Sequence, residues 1–256
     1  MPQWLILTLC LVGACGTVIG VVFLRQRRVG DQDDPSETPD VIEYMTMMIG
    51  VVYAIVLGLA IAGVWEARNA ADETVQREAQ ALHEVDVRVQ VYPEEARDRI
   101  REDVRAYVRH TLEVEWPHMV EHGELTHRGD RLLETLRRDA MELPVESPRA
   151  VQAYQGVVDR VAAVDEARTQ RAAEASPTMP TVVWFGLVGG GVLSIGMVFA
   201  LQIQRSRREM VLAGLFSALV VFLVFLVWHF DAPFERGLTD PQEAFTTLFP
   251  GASGGA

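Results

Sequence analysis

Residues 41–92 run without a proline, and within them an apolar span at 44–65 passes directly into a charged segment that stops at Pro93. At about 1.5 Å per residue a helix of this length reaches roughly 75 Å, against roughly 30 Å for the hydrocarbon core of a bilayer. The stretch therefore predicts a helix that crosses a membrane and continues into water. Every other segment has to pack around one half of it or the other.

The two halves carry different patterns. In the apolar half Gly50, Ala54, Gly58 and Ala62 recur every fourth residue, a stripe of small side chains that lets another helix approach closely. Tyr53, Leu57 and Ile61 share the adjacent face. Repeated around a symmetry axis they would make a hydrophobic constriction, so Gly50, Tyr53, Ala54, Leu57, Gly58 and Ile61 are the candidate pore-lining residues. Packing against lipid or a neighbouring helix is the alternative use of the same side chains.

In the charged half Ala71, Val75, Ala79, Leu82, Val85, Val89 and Tyr92 follow steps of three and four, a narrow apolar seam that must be buried. Glu66, Asp72, Glu73 and Glu78 stand just beyond the span. In a symmetric oligomer they would repeat as acidic rings that concentrate cations at a pore mouth; on a lone helix they would pair with Arg68 and Arg77. Glu78 lies close to the seam, between Val75 and Leu82, where an acid needs a partner.

The chain is 49% hydrophobic yet 23% charged, and the two kinds of residue are segregated into blocks. Residues 4–24 form a further span, read as an uncleaved helix because its positive cluster, Arg25, Arg27 and Arg28, follows it. Pro35 and Pro39 break the linker before residue 41. Polar helices are expected at 94–115, ended or kinked by Trp116 and Pro117, at 130–143, and at 149–174 with Val151, Tyr154, Val158, Val161 and Val164 inward. A third span fits 181–203, with Gly186, Gly190 and Ser194 on one face, and a fourth fits 210–230. No segment alternates with period two.

The expectation is an all-α polytopic integral membrane protein with four transmembrane helices and a helical extramembrane domain between helices two and three. Its parts are residues 1–65, 66–178, 179–231 and an interfacial, partly disordered tail at 232–256. Asp231, Pro233 and Phe234 are read as a helix stop and anchor, with Phe234 and Phe245 in the headgroup layer. Arg25–Arg28 and Arg205–Arg208 fall on one side if all four spans cross, and the positive-inside rule then puts residues 66–178 outside.

Several classes of function are excluded. A net charge of −12 offers no cationic surface to nucleic acid. Cys10 and Cys15 lie inside the first span, where a thiol behaves as a small hydrophobe. His118 and His122 are four apart but lack an HExxH motif or a distal ligand set, so they read as surface histidines and no metal site is expected. No phosphate loop, nucleophile elbow or Ser/His/Asp arrangement supports catalysis or a cofactor. The centres of the spans carry no charge, which disfavours a transporter.

Gly50, Tyr53, Leu57 and Gly58, then Trp65 and Glu66, then Glu78 and Leu82, then Glu115, Trp116 and Pro117, and finally Asp231, Pro233, Phe234 and Gly237 resemble the bacterial and plant bestrophin-like membrane family, distant relatives of bestrophin ion channels. The resemblance covers most of residues 44–245. It implies a four-span subunit of an oligomeric channel in the bacterial inner membrane, pentameric by analogy, with the second span lining a narrow apolar neck. It implies lipid, inorganic ions and further copies of the chain as partners, and the side facing the cytoplasm for residues 66–178, opposite to the Arg pattern. Trp65, Leu82, Trp116, Pro117, Asp231, Pro233 and Phe234 are its structural motif positions. The acidic mouth leans towards cations. A non-conducting scaffold or sensor, binding a partner through the 82–92 and 100–112 faces, is the other reading.

Overall fold

The structure is a computed structural model that describes residues 40–176, 179–200, 207–232, 234 and 241–250. The expected first span with Cys10, Cys15 and its arginines, together with Arg205, Pro233, Gly237 and the end of the chain from 251, lies outside the described residues. Among the described residues there is no strand. Helix α1 is Asp40–Arg88, one continuous element that a short 3-10 turn, Val89–Val91, closes before Pro93. Proline at that position disfavours helix at the residue before it, and Tyr92 is extended. Then follow α2 (Glu94–His110), a π turn (Thr111–Glu115), α3 (Trp116–His122), α4 (His127–Met141), α5 (Pro148–Glu174), α6 (Thr181–Ala200), α7 (Arg207–Phe230) and α8 (Pro241–Leu248). Among the described residues α1, α6 and α7 are long and apolar enough to cross a membrane.

The chain divides into two compact units, residues 1–65 with 179–231 and residues 66–178 with 232–256. In the first, the start of α1 packs on α6 and α7 through Tyr53, Leu57, Ala60, Val64, Leu187, Val220 and Val227. Close approach at Tyr53 is made possible by glycine: a Cβ on Gly190 would stand 2.6 Å from the Tyr53 ring, and one on Gly191 would stand 2.9 Å from its hydroxyl. The Tyr53 hydroxyl donates to the Leu187 carbonyl at 3.1 Å, so the phenol is satisfied inside an apolar contact. Asp231 ties the two ends of the hairpin, accepting from the Met179 amide at 2.8 Å and from Trp184 Nε1 at 3.1 Å. Trp65 and Phe230 meet edge to face at 5.3 Å. These aromatic side chains stand where apolar sequence gives way to polar, the usual place of an interfacial belt.

In the second unit the α1 seam from Ala71 to Tyr92 is buried as its spacing predicts, against Ile100, Val104, Tyr107 and Val108 of α2, Leu133, Leu136 and Ala140 of α4, and Val157, Val161 and Val164 of α5. Of the residues expected inward on α5, Val161 and Val164 are buried, Tyr154 and Val158 are half-buried and Val151 is exposed, while Val157 takes a fully buried position. Thr126 and Ser147 cap α4 and α5, accepting from the Gly129 and Ala150 amides. Trp116 and Pro117 kink the chain without ending it: the helix runs on from α2 through the π turn, which absorbs the misfit of the proline, into α3. Gly123 ends α3 with φ of 70°, a left-handed conformation that suits glycine.

The expected interfacial anchors are placed otherwise. Phe234 and Phe245 are buried in the core of the second unit, Phe234 edge to face on Trp116 at 5.3 Å, with Phe249 against His83. The helical domain leaves apolar area open on its seams, and burying these rings there removes more of their surface from water than a headgroup layer would.

Candidate functional site

Helix α1 presents two faces in its apolar half. Tyr53 and Leu57 are buried within the protomer and Ile61 is half-buried against the same cluster, so this trio packs on α6 and α7 instead of facing outward. Ala54 and Gly58 are exposed and Gly50 half-buried, and a Cβ added to Gly50 or Gly58 meets nothing within 4 Å. Of the predicted pore-lining residues, only the small ones are turned away from the protomer. Sequence spacing assigns residues to a face; it does not say which face the protomer itself consumes.

Of the predicted acidic positions, Glu66 and Glu73 are exposed and Asp72 is half-buried. Glu78 is fully buried and belongs to a different structure, an ion-pair network inside the helical domain. Arg171 on α5 donates to both Glu78 oxygens, at 2.8 Å and 3.1 Å, and to Glu115 at 2.8 Å. Arg168, one turn earlier, donates to the same Glu115 oxygen, to Asp130 at 2.9 Å and to the Thr126 carbonyl at 3.0 Å. The Tyr107 hydroxyl completes Glu78 at 2.6 Å, and Thr126 gives Glu115 a hydroxyl at 2.9 Å and an amide at 3.3 Å. The Thr126 hydroxyl proton is thus committed to Glu115, so His110 Nε2, 2.7 Å from the same oxygen, carries its own proton and donates.

The electrostatics follow from burial against pairing. Burial alone would push the Glu115 carboxyl up, but the Arg168 hydrogen bond and the Arg171 and Arg168 charges hold it at about 2. Burial works against the charge of both arginines, and the paired carboxylates and hydrogen bonds more than restore it, so both stay cationic. Burial, then the Glu78 charge, pushes the Tyr107 phenol up and keeps it a donor. Gly129 has to be glycine here, since a Cβ would run into Glu115 and Arg168.

The network joins α1 to the π turn and to α5, fixing the rotation of the charged half of α1 about its own axis. A π turn carries one extra residue per turn, and here it carries Glu115 into the interior beside Trp116, over which Arg171 stacks at 6.0 Å. Arg168 and Arg171 were not singled out from sequence. The signal was present: Val157, Val161 and Val164 step by four and three, and the same rhythm lands on Arg168 and Arg171. Among the described residues no group of three metal-ligating side chains converges; His118 and His122 stack on each other at 4.3 Å.

These features define a helical membrane protein in which a helix long enough to cross a bilayer continues into a helical domain locked by buried charge. The chain belongs to the Bestrophin-like domain family, whose family model matches residues 12–239. Its fold is that of a crystal structure of a bacterial bestrophin homologue from Klebsiella pneumoniae carrying a point mutation, with a TM-score of 0.61 over 98% of this chain and 99% of that one, at 13% identity. No match was found among curated proteins. The family and the apolar helices support a channel-like membrane protein.

Proposed function

We propose that the protein is the subunit of an oligomeric ion channel, a pentamer by family analogy, in which the outward face of α1 lines the axis. The single observation behind the reading is the stripe of Gly50, Ala54 and Gly58, which is apolar, close-packing in character and left open by the protomer. Tyr53, Leu57 and Ile61 then act behind that face, setting its rigidity through α6. Glu66, Asp72 and Glu73 follow on the same helix and give the mouth a negative potential, which favours cations. A scaffold that binds partners through the 82–92 and 100–112 faces has less in its favour, because Leu82, Val85, Val89, Ile100, Val104 and Val108 are spent on the domain's own core. Bacterial inner-membrane location, with the helical domain outside as the Arg pattern has it, belongs to the same proposal.

Gly58→Leu tests the reading. Its side chain enters open space in the protomer, so folding should be spared. Purified protein should form a ring by particle imaging, and ion flux into liposomes should fall by about tenfold or more on substitution, since a narrow apolar pore is sensitive to one added ring of side chains. Unchanged flux, or a monomeric particle, refutes it. Glu66→Gln with Glu73→Gln should reduce cation preference in the same assay, and an unchanged preference removes the acidic mouth from the proposal.

A further inference from the structure

Glu78 and Glu115, the fully buried acids of the helical domain, are each answered by arginine. Glu174, the last residue of α5, is not. It is half-buried, and its Oε2 oxygen is buried and accepts no hydrogen bond from the protein. Its Oε1 oxygen accepts from the Gln170 amide at 3.0 Å and lies 3.3 Å from the Thr74 hydroxyl of α1. Among the described residues no arginine or histidine forms an ion pair with this carboxyl. Arg77 donates instead to the Glu73 carbonyl at 3.3 Å and to the Thr74 hydroxyl oxygen at 3.1 Å.

A hydroxyl has a single proton to give. The Ala70 carbonyl, 2.9 Å from the Thr74 oxygen, competes for it with Glu174 and is the nearer of the two. An ionised Glu174 therefore holds Gln170 as its undivided donor, keeps a bare oxygen in the interior, and sets a negative charge at the negative end of the α5 dipole. A protonated Glu174 removes the conflict. Its own O–H donates to Thr74, Thr74 donates to the Ala70 carbonyl, and Arg77 donates to Thr74, so each proton in the chain has one acceptor.

We infer that Glu174 is a proton-binding site, and that the bound proton clasps the end of α5 to α1 through Thr74.

The charges around the site do not take the proton's place. On α1, Glu78 is committed to Arg171 and to the Tyr107 hydroxyl, Glu73 is exposed, and Asp72 is half-buried. On α5, Arg171 is held by Glu78 and Glu115. From α3, whose closing Gly123 faces the Ala175 carbonyl, come His118 and His122, which stack on each other. Burial pushes the Glu174 carboxyl up, and the hydrogen bonds of Gln170 and Thr74 with the Arg77 charge offset only part of it. By linkage, a folded value raised above the ordinary 4.5 makes the clasp complete below pH 4.5 and loosens it as pH rises through the folded value. Acid thus tightens the hold of the domain on α1 just after that helix turns from apolar to polar.

Hydrogen exchange of the full-length protein in detergent, corrected for intrinsic rates, reads the clasp. Between pH 4.5 and pH 7.5 the protection of α1 around Thr74 and of the last turn of α5 should be lost together. Glu174→Gln should keep that protection at every pH, because its amide donates to Thr74 and its oxygen still accepts from Gln170. Thr74→Val should show low protection without pH dependence, and Thr74→Ser, which retains the hydroxyl, should restore the behaviour of the parent. His118 and His122 are present in all three variants, so a loss that came from them would survive. Protection in the parent that does not change with pH overturns the clasp, and so does a loss that persists in folded Glu174→Gln or Thr74→Val. The two positions lie on different helices, so a failure of one variant to fold leaves the other, and the profile of the unaltered chain, to decide.

Discussion

Glu115 is the residue whose removal should report most sharply on the network, because it accepts from Arg168, Arg171, the Thr126 hydroxyl and the Thr126 amide while fully buried. Substitution to Gln keeps the shape and removes the charge. One end of the new amide can still accept from the arginines, but the other is a donor and meets the Thr126 N–H, so a buried donor is left unsatisfied and two guanidinium groups lose half their neutralisation. Breaking a buried pair in this way costs about 3–5 kcal/mol. The pH dependence supplies an independent measure. A carboxyl held at about 2 in place of 4.5 contributes about 3 kcal/mol near neutral pH. Since its folded value is depressed, that contribution is present above pH 4.5 and is lost as pH falls towards 2. Urea unfolding of the detergent-solubilised protein, repeated from pH 7 down to pH 2.5, should show Glu115→Gln less stable at pH 7 and the difference shrinking in acid. A variant within about 1 kcal/mol of the parent at pH 7, or one whose deficit is constant with pH, would refute the account.

Two further outcomes follow from the same contacts. Thr126→Val removes the α4 cap and a hydroxyl donor to Glu115 together, and should lower stability by about 2 kcal/mol in the same unfolding assay; an exposed-site effect of a few tenths would contradict it. Gly190→Val places a side chain against the Tyr53 ring and should part α6 from α1, lowering the thermal midpoint by several degrees, whereas Gly58→Val, facing open space, should leave it nearly unchanged; equal effects would mean that the Tyr53 contact is not where the hairpin closes.

Much of the helical domain could be read from spacing. The α1 seam advances by four and three from Ala71 through Val75 and Leu82 to Tyr92, and each apolar member is buried. Glu78 occupies the step between Val75 and Leu82 in that rhythm, which is why it was recognisable as an acid in need of a partner. The partner was less visible. An arginine at a seam position of α5 looks like a surface residue in a one-dimensional pattern, and only the meeting of α1, α5 and the π turn brings Arg171 to Glu78 and Glu115. The π turn was illegible for a related reason: the sequence suggests an end or a kink at Pro117, and whether a helix ends or widens by one residue depends on what the widened turn can bury.

The division between sequence and structure falls along period and polarity. Local pattern alone determined that the chain is helical, that α1 leaves an apolar environment for a polar one, and which residues share a helical face, because those properties depend on the 3.6-residue repeat and on transfer from water. Tertiary structure decided which face is consumed: Tyr53 and Leu57 went inward because Gly190 and Gly191 leave room for a ring, and Phe234 and Phe245 went into the domain core instead of towards lipid. A helical face has no intrinsic inside. It acquires one from the shape of whatever packs against it, and that shape is set by residues more than a hundred positions away in the chain.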